Sequence, residues 1–363
     1  MSIIIFIVIL LVLVVSHEFG HFIVAKKSGI RVDEFSFGFP PKIFGKKIGE
    51  TTYNLNALPL GGYVKIFGEN GDDPSVSEED KKRSFTSKPR YIQAAVLFAG
   101  VVMNFLVAWF LLTVGFMSGL PSVVSMAPKG VEVSNQHLTI TSIVKGSPAE
   151  LSGLKIGDKL IKLSTPKDFT ETPSPESVQY FVKKHVNEAI KVDLLRGPES
   201  KELEVTPKNN KEGNVAIGIA MDTIGTLQLP VHKAVWEGLK LSSELTVSTA
   251  KGFYKLIKGA VTGKGDMSSV TGPIGIVGVV GDAAKFGFIY LLSFTALISI
   301  NLAVINLLPF PALDGGRLLF LLIEKIKGSR IKPEIANVVN MVGFGILMLL
   351  MVVITYHDII KLI

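Results

Sequence analysis

Four long apolar stretches set the plan of the chain: Ile3–Ala25, Ile92–Met117, Phe288–Leu308 and Ile335–Thr355. Each is long enough to cross a hydrocarbon core of about 30 Å as a helix. The first carries no charge from Ile3 to Val15, and the last none between Glu334 and Asp358. Between them the pattern changes. Phe35-Ser36-Phe37-Gly38-Phe39 and Thr52-Tyr53-Asn54-Leu55 alternate as strands do, and Leu58-Pro59-Leu60-Gly61-Gly62-Tyr63-Val64-Lys65 predicts a hairpin turn between strands. From Leu138 to Met221 the composition is that of a soluble domain. Strands are expected at Leu138–Val144, Lys191–Leu195, Glu202–Val205 and Val215–Ala220, with a helix over Glu176–Ala189.

This pattern predicts a multi-pass α-helical membrane protein of about four transmembrane helices. A membrane-associated β-hairpin region and one inserted α+β domain complete the fold class. The segments run 1–25 (first span), 26–91 (β-rich segment and linker), 92–117 (second span), 118–137 (linker), 138–225 (soluble domain), 226–286 (amphipathic helices), 287–314 (third span), 315–334 (amphipathic helix) and 335–357 (fourth span). In 230–260, Trp236, Leu239, Phe253, Leu256 and Ile257 recur at helical spacing, with Lys233, Lys240, Lys251, Lys255 and Lys258 at other positions. Such helices lie at a membrane interface or pack on the soluble domain. Thr271-Gly272-Pro273-Ile274-Gly275-Ile276 predicts irregular backbone before the third span. Residues 69–90, with Gly71, Asp72, Asp73, Glu78, Glu79 and Asp80, read as a solvated linker. A signal peptide at the N-terminus is disfavoured, since no positive n-region precedes the first run and no small-x-small site follows it.

Charge adds orientation. The net charge is +7, but the basic residues gather beside the spans: Lys26, Lys27 and Arg31; Lys81, Lys82, Arg83, Lys88 and Arg90; Arg317, Lys325, Lys327, Arg330 and Lys332. By the positive-inside rule, 26–91 and 315–334 face the cytoplasm, and both termini and the middle domain lie outside. The basic excess therefore reports topology, and no nucleic-acid partner is expected. With no cysteine in the chain, disulfides and thiolate metal ligands are excluded.

The candidate chemistry sits in the first span. His17-Glu18-x-x-His21 places two imidazoles one turn apart on a helix face, where both reach one metal ion, with Glu18 beside them as a base. His17 lies about 21 Å below Ile3 at 1.5 Å per residue, in the inner third of the membrane, so water access is expected from the cytoplasmic side. Ionisable groups at that depth are costly and usually functional. Val24 and Lys27 stand where soluble metalloproteases of the extended pattern have Gly and His, so a third ligand must come from elsewhere. Asp314, at the inner end of the third apolar run, is the natural choice; Asp33 and Glu34 are rivals, and a helix-capping role is the plainer reading of Asp314. Asn306, about two turns earlier, suits substrate orientation or oxyanion stabilisation. Asn104 is a strongly polar residue deep inside the second span, for helix packing or for lining the site. The 32–68 segment is either a plain cytoplasmic sheet or a strand edge that holds an extended substrate. His137 and His185 lack ligand spacing and are read as surface residues.

Gly146-Ser147-Pro148-Ala149 and Gly153-Leu154-Lys155-Ile156-Gly157-Asp158 resemble the PDZ signature of bacterial proteases, with Leu163-Ser164-Thr165 replacing the usual Ile-Asn-Gly. With His17-Glu18-x-x-His21, the Gly61-Gly62 segment, Gly272-Pro273-Ile274-Gly275-Ile276 and Asn306-x-x-Pro309-x-Pro311-x-Leu313-Asp314-Gly315 in this order, nearly the whole chain resembles the bacterial site-2 protease family of RseP-like regulators. The resemblance implies Zn2+ held by His17, His21 and Asp314, Glu18 as general base and Asn306 acting on substrate. It also implies a membrane-reentrant β-loop at Gly61, Gly62 and Tyr63 that engages substrate together with Pro309 and Pro311. The implied setting is the bacterial inner membrane, with an extracytoplasmic PDZ domain open to a peptide or protein partner. The implied activity is intramembrane endopeptidase action on single-span proteins already cut by another protease, such as anti-sigma factors or remnant signal peptides. The rivals are a catalytically inactive PDZ scaffold and, more weakly, a transporter. The best-studied RseP-like proteins have two PDZ domains in tandem, whereas this chain shows one Gly-Leu-Lys-x-Gly-Asp motif.

Overall fold

The computed structural model describes residues 1–69, 77–127, 131–170, 173–209, 215–263 and 271–362. Gly71, Asp72 and Asp73 of the expected linker lie outside the described residues. In chain order the elements are α1 (Ser2–Lys27), β1 (Val32–Ile48), β2 (Thr51–Ile66), α2 (Glu78–Lys82), α3 (Arg90–Ser118), β3 (Leu120–Val123), β4 (Ser134–Ile143), α4 (Pro148–Leu151), β5 (Lys159–Ser164), β6 (Phe169–Thr170), α5 (Pro175–Lys184), β7 (Ile190–Arg196), β8 (Glu199–Val205), β9 (Lys208–Asn209), β10 (Val215–Ala216), β11 (Ile219–Leu227), α6 (Val231–Val261), α7 (Pro273–Phe286), α8 (Phe288–Leu307), α9 (Asp314–Lys327) and α10 (Pro333–Leu362). They form two compact units, Met1–Val114 with His232–Ile363, and Gly115–Val231. Within α1, α3, α8 and α10 lie the stretches long and apolar enough to cross a membrane.

Helix α1 ends as its sequence demands. Lys26 and Lys27 oppose the negative end of the helix dipole. Gly29 (φ 67°) then takes the left-handed conformation, Gly29 N–H donates to the Lys26 carbonyl, and Ile30 N–H donates to that of Ala25. This Schellman turn drops Ile30 into a core with Ala25, Val32, Ile66, Phe85, Val96 and Leu97. The sheet that follows is more folded than one hairpin. Glu34, Phe35, Ser36 and Phe37 of β1 lie between two lengths of β2, opposite Thr52–Leu55 on one side and Lys65–Gly62 on the other. The chain reverses between Phe37 and Lys42, at Gly49-Glu50, and again between Asn56 and Gly62. Gly62–Ile66 is therefore strand, where the sequence suggested turn. A Cβ on Gly62 would lie 2.7 Å from the Ser36 carbonyl oxygen, so only glycine allows this close pairing.

The linker expected over 69–90 is packed in its second half. Ser77 caps α2 through Asp80 N–H, and Phe85, itself buried, donates its N–H to the Phe67 carbonyl at 2.8 Å. Arg83 and Lys26 both pair with Glu50 and hold its carboxyl below the usual range, Lys26 being the stronger influence. The irregular backbone expected at 271–276 is instead a helix start. Pro273 occupies the first turn of α7, and the buried Asp358 carboxylate accepts N–H bonds from Gly272 (3.1 Å) and Gly275 (2.9 Å). Helix α7 then packs Val280 against Ile9 and Leu13 of α1. The apolar face of α6 brings Leu241, Leu245 and Phe253 against Ala108, Leu112, Ala296 and Ile300 of α3 and α8.

The unit Gly115–Val231 is built on a seven-stranded sheet with path β3-β11-β4-β5-β7-β8, β6 pairing with β5. Its core holds Leu138, Ile140, Leu160, Val178, Phe181, Ile190, Val192 and Leu194. Ser147 caps α4, while the Glu150 carboxylate accepts from Gly146 N–H at 2.6 Å. Asp158 is fully buried and takes two bonds of 2.7 Å from Arg196 and one of 2.8 Å from Lys155 N–H. Arg196→Ala leaves that carboxylate buried without a counter-charge, which costs about 3–5 kcal/mol. Hydrogen exchange on the full chain should show the amides of this unit losing protection by that amount while α1 keeps its own. His185 corrects the surface reading: it is buried against Phe181 and reaches Glu188 at 2.8 Å and Asp168 at 3.3 Å. Lys184, and then His185, hold the Asp168 carboxyl below its usual range.

Candidate metal centre

Helix α1 presents His17 and His21 on one face, four residues apart, and both are buried. Asp314 arrives from the first turn of α9. The link Leu308–Leu313 turns sharply enough that a Cβ on Gly315 would overlap the Leu307 and Leu308 carbonyl oxygens, and one on Gly316 the Phe310 oxygen. The paired glycines thus let α9 start against the end of α8. Ala312 contributes a left-handed residue (φ 72°), and its N–H donates to Asn340 Oδ1.

The three side chains converge. His17 Nε2 lies 3.0 Å and His21 Nε2 3.3 Å from Asp314 Oδ2, with 3.1 Å between the two nitrogens. Donors around a tetrahedral zinc ion are about 3.3–3.5 Å apart, so the triad nearly matches the spacing of three of its four ligands. The chemistry of the donors agrees. His21 Nδ1 is 2.8 Å from the Val96 carbonyl, which can only accept, so Nδ1 carries the proton. In its neutral form the ring aims its Nε2 lone pair at the Asp314 carboxylate oxygen, an arrangement that a cation between them would satisfy. Among the described residues this is the one cluster of three such groups with converging ligand atoms. Asp33 and Glu34 are outside it; Asp33 pairs with Arg31, and Glu34 accepts from Asn54 and Tyr63.

Glu18 accepts the N–H of Val64 at 3.0 Å. The base is thereby tied to the edge length of β2, Gly62–Ile66. A Cβ on Gly62 would also lie 3.8 Å from Val15 on α1. Gly61 and Gly62 are buried, and the Tyr63 ring stacks on Phe39 while its hydroxyl donates to Glu34. Asn306 stands in the last turn of α8, half-buried, and Pro309 is exposed. Pro311 packs where a Cβ on Gly343 of α10 would fall.

Helix α3 closes the site with a stripe that sequence reading reached only in part. Val96, Gly100 and Asn104 lie at intervals of four: the first gives its carbonyl to His21, the last sets its amide against His17 Nδ1 at 3.3 Å. A Cβ on Gly100 would come within 2.5 Å of His21 Nε2 and 2.6 Å of His17 Cε1. The signal available was a glycine and an asparagine on one face of an apolar span. Gly100→Val is expected to part the imidazoles and lower metal affinity more than about 100-fold, beyond the loss of a single outer-sphere partner. Metal per purified chain against a competing chelator measures it.

The family model for peptidase family M50 matches residues 5–350. A Clostridium acetobutylicum protein provisionally named a zinc metalloprotease is 35% identical over 96% of this chain and 94% of its own. The regulator of sigma-W protease RasP of Bacillus subtilis is 30% identical, covering 99% of each chain. The regulator of sigma E protease of Haemophilus influenzae is 28% identical, covering 98% of each. Both of these alignments are longer than this chain, at 439 and 449 positions.

Proposed function

This chain belongs to peptidase family M50, and from that membership we propose that it is a zinc endopeptidase of a bacterial inner membrane that cuts single-span proteins within or beside their membrane-spanning segments. The observation that carries the reading is the convergence of His17, His21 and Asp314 beside Glu18, inside the apolar helix α1. His17, His21 and Asp314 hold the zinc, which supplies a Lewis acid that makes a water acidic near neutral pH and polarises the scissile carbonyl. Glu18 takes the proton of the attacking water and passes it to the leaving amine. Val64 N–H keeps that carboxylate aimed. Asn306 donates to the developing oxyanion. The substrate helix must unwind to be cut; its extended form pairs with the edge Gly62–Ile66, while Gly61, Tyr63, Pro309 and Pro311 border its path.

The domain boundaries and orientation follow the charge pattern: 26–91 and 315–334 cytoplasmic, both termini and a PDZ domain outside, and the site open toward the cytoplasm. The sheet of Gly115–Val231 and its buried Asp158 support the PDZ assignment. That domain admits substrates shortened outside by another protease. The names of the sigma-W and sigma E relatives make anti-sigma factors the first substrates to try. In liposomes holding the purified protein and a tagged single-span substrate, mass analysis of the products should place the cut in the apolar segment or a few residues from it. A cut confined to a distant soluble region would contradict the proposal.

A further inference from the structure

We propose that Asn104 is a positioning residue: its side-chain oxygen accepts the Nδ1 proton of His17 and so fixes that ring with its Nε2 lone pair toward His21 and Asp314. The inference rests on reading the triad as a metal site. Asn104 is fully buried in an otherwise apolar stretch of α3, where an amide is costly. Its Nδ2 lies 3.3 Å from His17 Nδ1, and the described residues offer no hydrogen-bond partner to its Oδ1. The amide has two orientations there. With Nδ2 toward His17, Nδ1 keeps a lone pair and the ring proton sits on Nε2, pointing at the triad. With Oδ1 toward His17, Nδ1–H donates and Nε2 is free to ligate. The second orientation breaks no hydrogen bond of Oδ1 and gives that atom a partner.

Helix packing does not account for the amide. The bond between α3 and α8 here runs from Ser299 Oγ to the backbone carbonyl of Asn104, at 2.8 Å, and needs no particular side chain. His21, by contrast, has its tautomer set by the Val96 carbonyl two turns away on the same stripe. The two histidines are thus oriented by one helix face in two ways, a main-chain acceptor for His21 and a side-chain acceptor for His17. Outer-sphere acceptors of this kind typically govern 10–100-fold in metal affinity.

The test uses the full chain in detergent micelles: zinc affinity by competition with a chelator, and the absorption spectrum of the cobalt(II) form, for the unsubstituted protein, Asn104→Leu and Asn104→Asp. Leu has nearly the same size and no acceptor; Asp keeps the acceptor. The expected result is affinity lower by about 10–100-fold and a shifted cobalt spectrum in Asn104→Leu, with affinity at or above the original in Asn104→Asp. Equal affinity and an unchanged spectrum in Asn104→Leu would overturn the proposal and leave the metal reading standing. If Asn104→Leu does not fold, a tenfold loss of affinity in Asn104→Asp overturns the proposal by itself. Absence of metal binding by the unsubstituted protein overturns the metal reading, and this proposal with it.

Discussion

Glu18→Gln is expected to lower cleavage by about a thousandfold, within the range for loss of a general acid–base group, while the purified protein keeps its zinc. The geometry separates the two properties. Glu18 is not among the converging donors; its oxygen instead accepts Val64 N–H at 3.0 Å. Glutamine retains a carbonyl oxygen for that bond, so the strand edge stays docked on α1 and only the proton acceptor is removed. A co-expressed, tagged single-span substrate reads the first property and elemental analysis the second. Loss of zinc in this variant would recast Glu18 as a group that builds the site, and full activity would move the base elsewhere.

Asp314→Ala should remove zinc and activity together. Asp314 Oδ2 is the one atom placed against both imidazoles, and it has no other hydrogen-bond partner among the described residues. Its loss takes one of three ligands, so affinity should fall by more than the 10–100-fold that an outer-sphere partner costs. Asp314→Asn keeps one oxygen at lower basicity and should fall between. If Asp314 were only the cap of α9, Asp314→Ala would cost about 1 kcal/mol of helix stability and leave zinc content unchanged.

Much of this was legible because it is local. The four apolar stretches report their length directly, and His17 with His21 needs only the helical period. Asp314 was reached by depth in the membrane and by resemblance, and its rivals Asp33 and Glu34 fall to contacts that sequence spacing does not encode. What was missed depends on distant partners. Pro273 reads as a breaker unless the cap from Asp358, 86 residues from Gly272, is known. Gly62 reads as turn until Phe37 is seen across from it. His185 reads as surface because Phe181, Asp168 and Glu188 enclose it only in the folded sheet domain. Gly100 is one glycine among the chain's 35, and its meaning appears only against the imidazoles of another helix.

The most direct test of the central claim is the zinc bound per chain of the purified, unsubstituted protein, measured before and after a chelator and again on adding zinc back. The account predicts about one ion per chain, with cleavage lost on removal and regained on return. A protein that takes up no zinc, or that cleaves its substrate equally well without it, would contradict the reading of His17, His21 and Asp314.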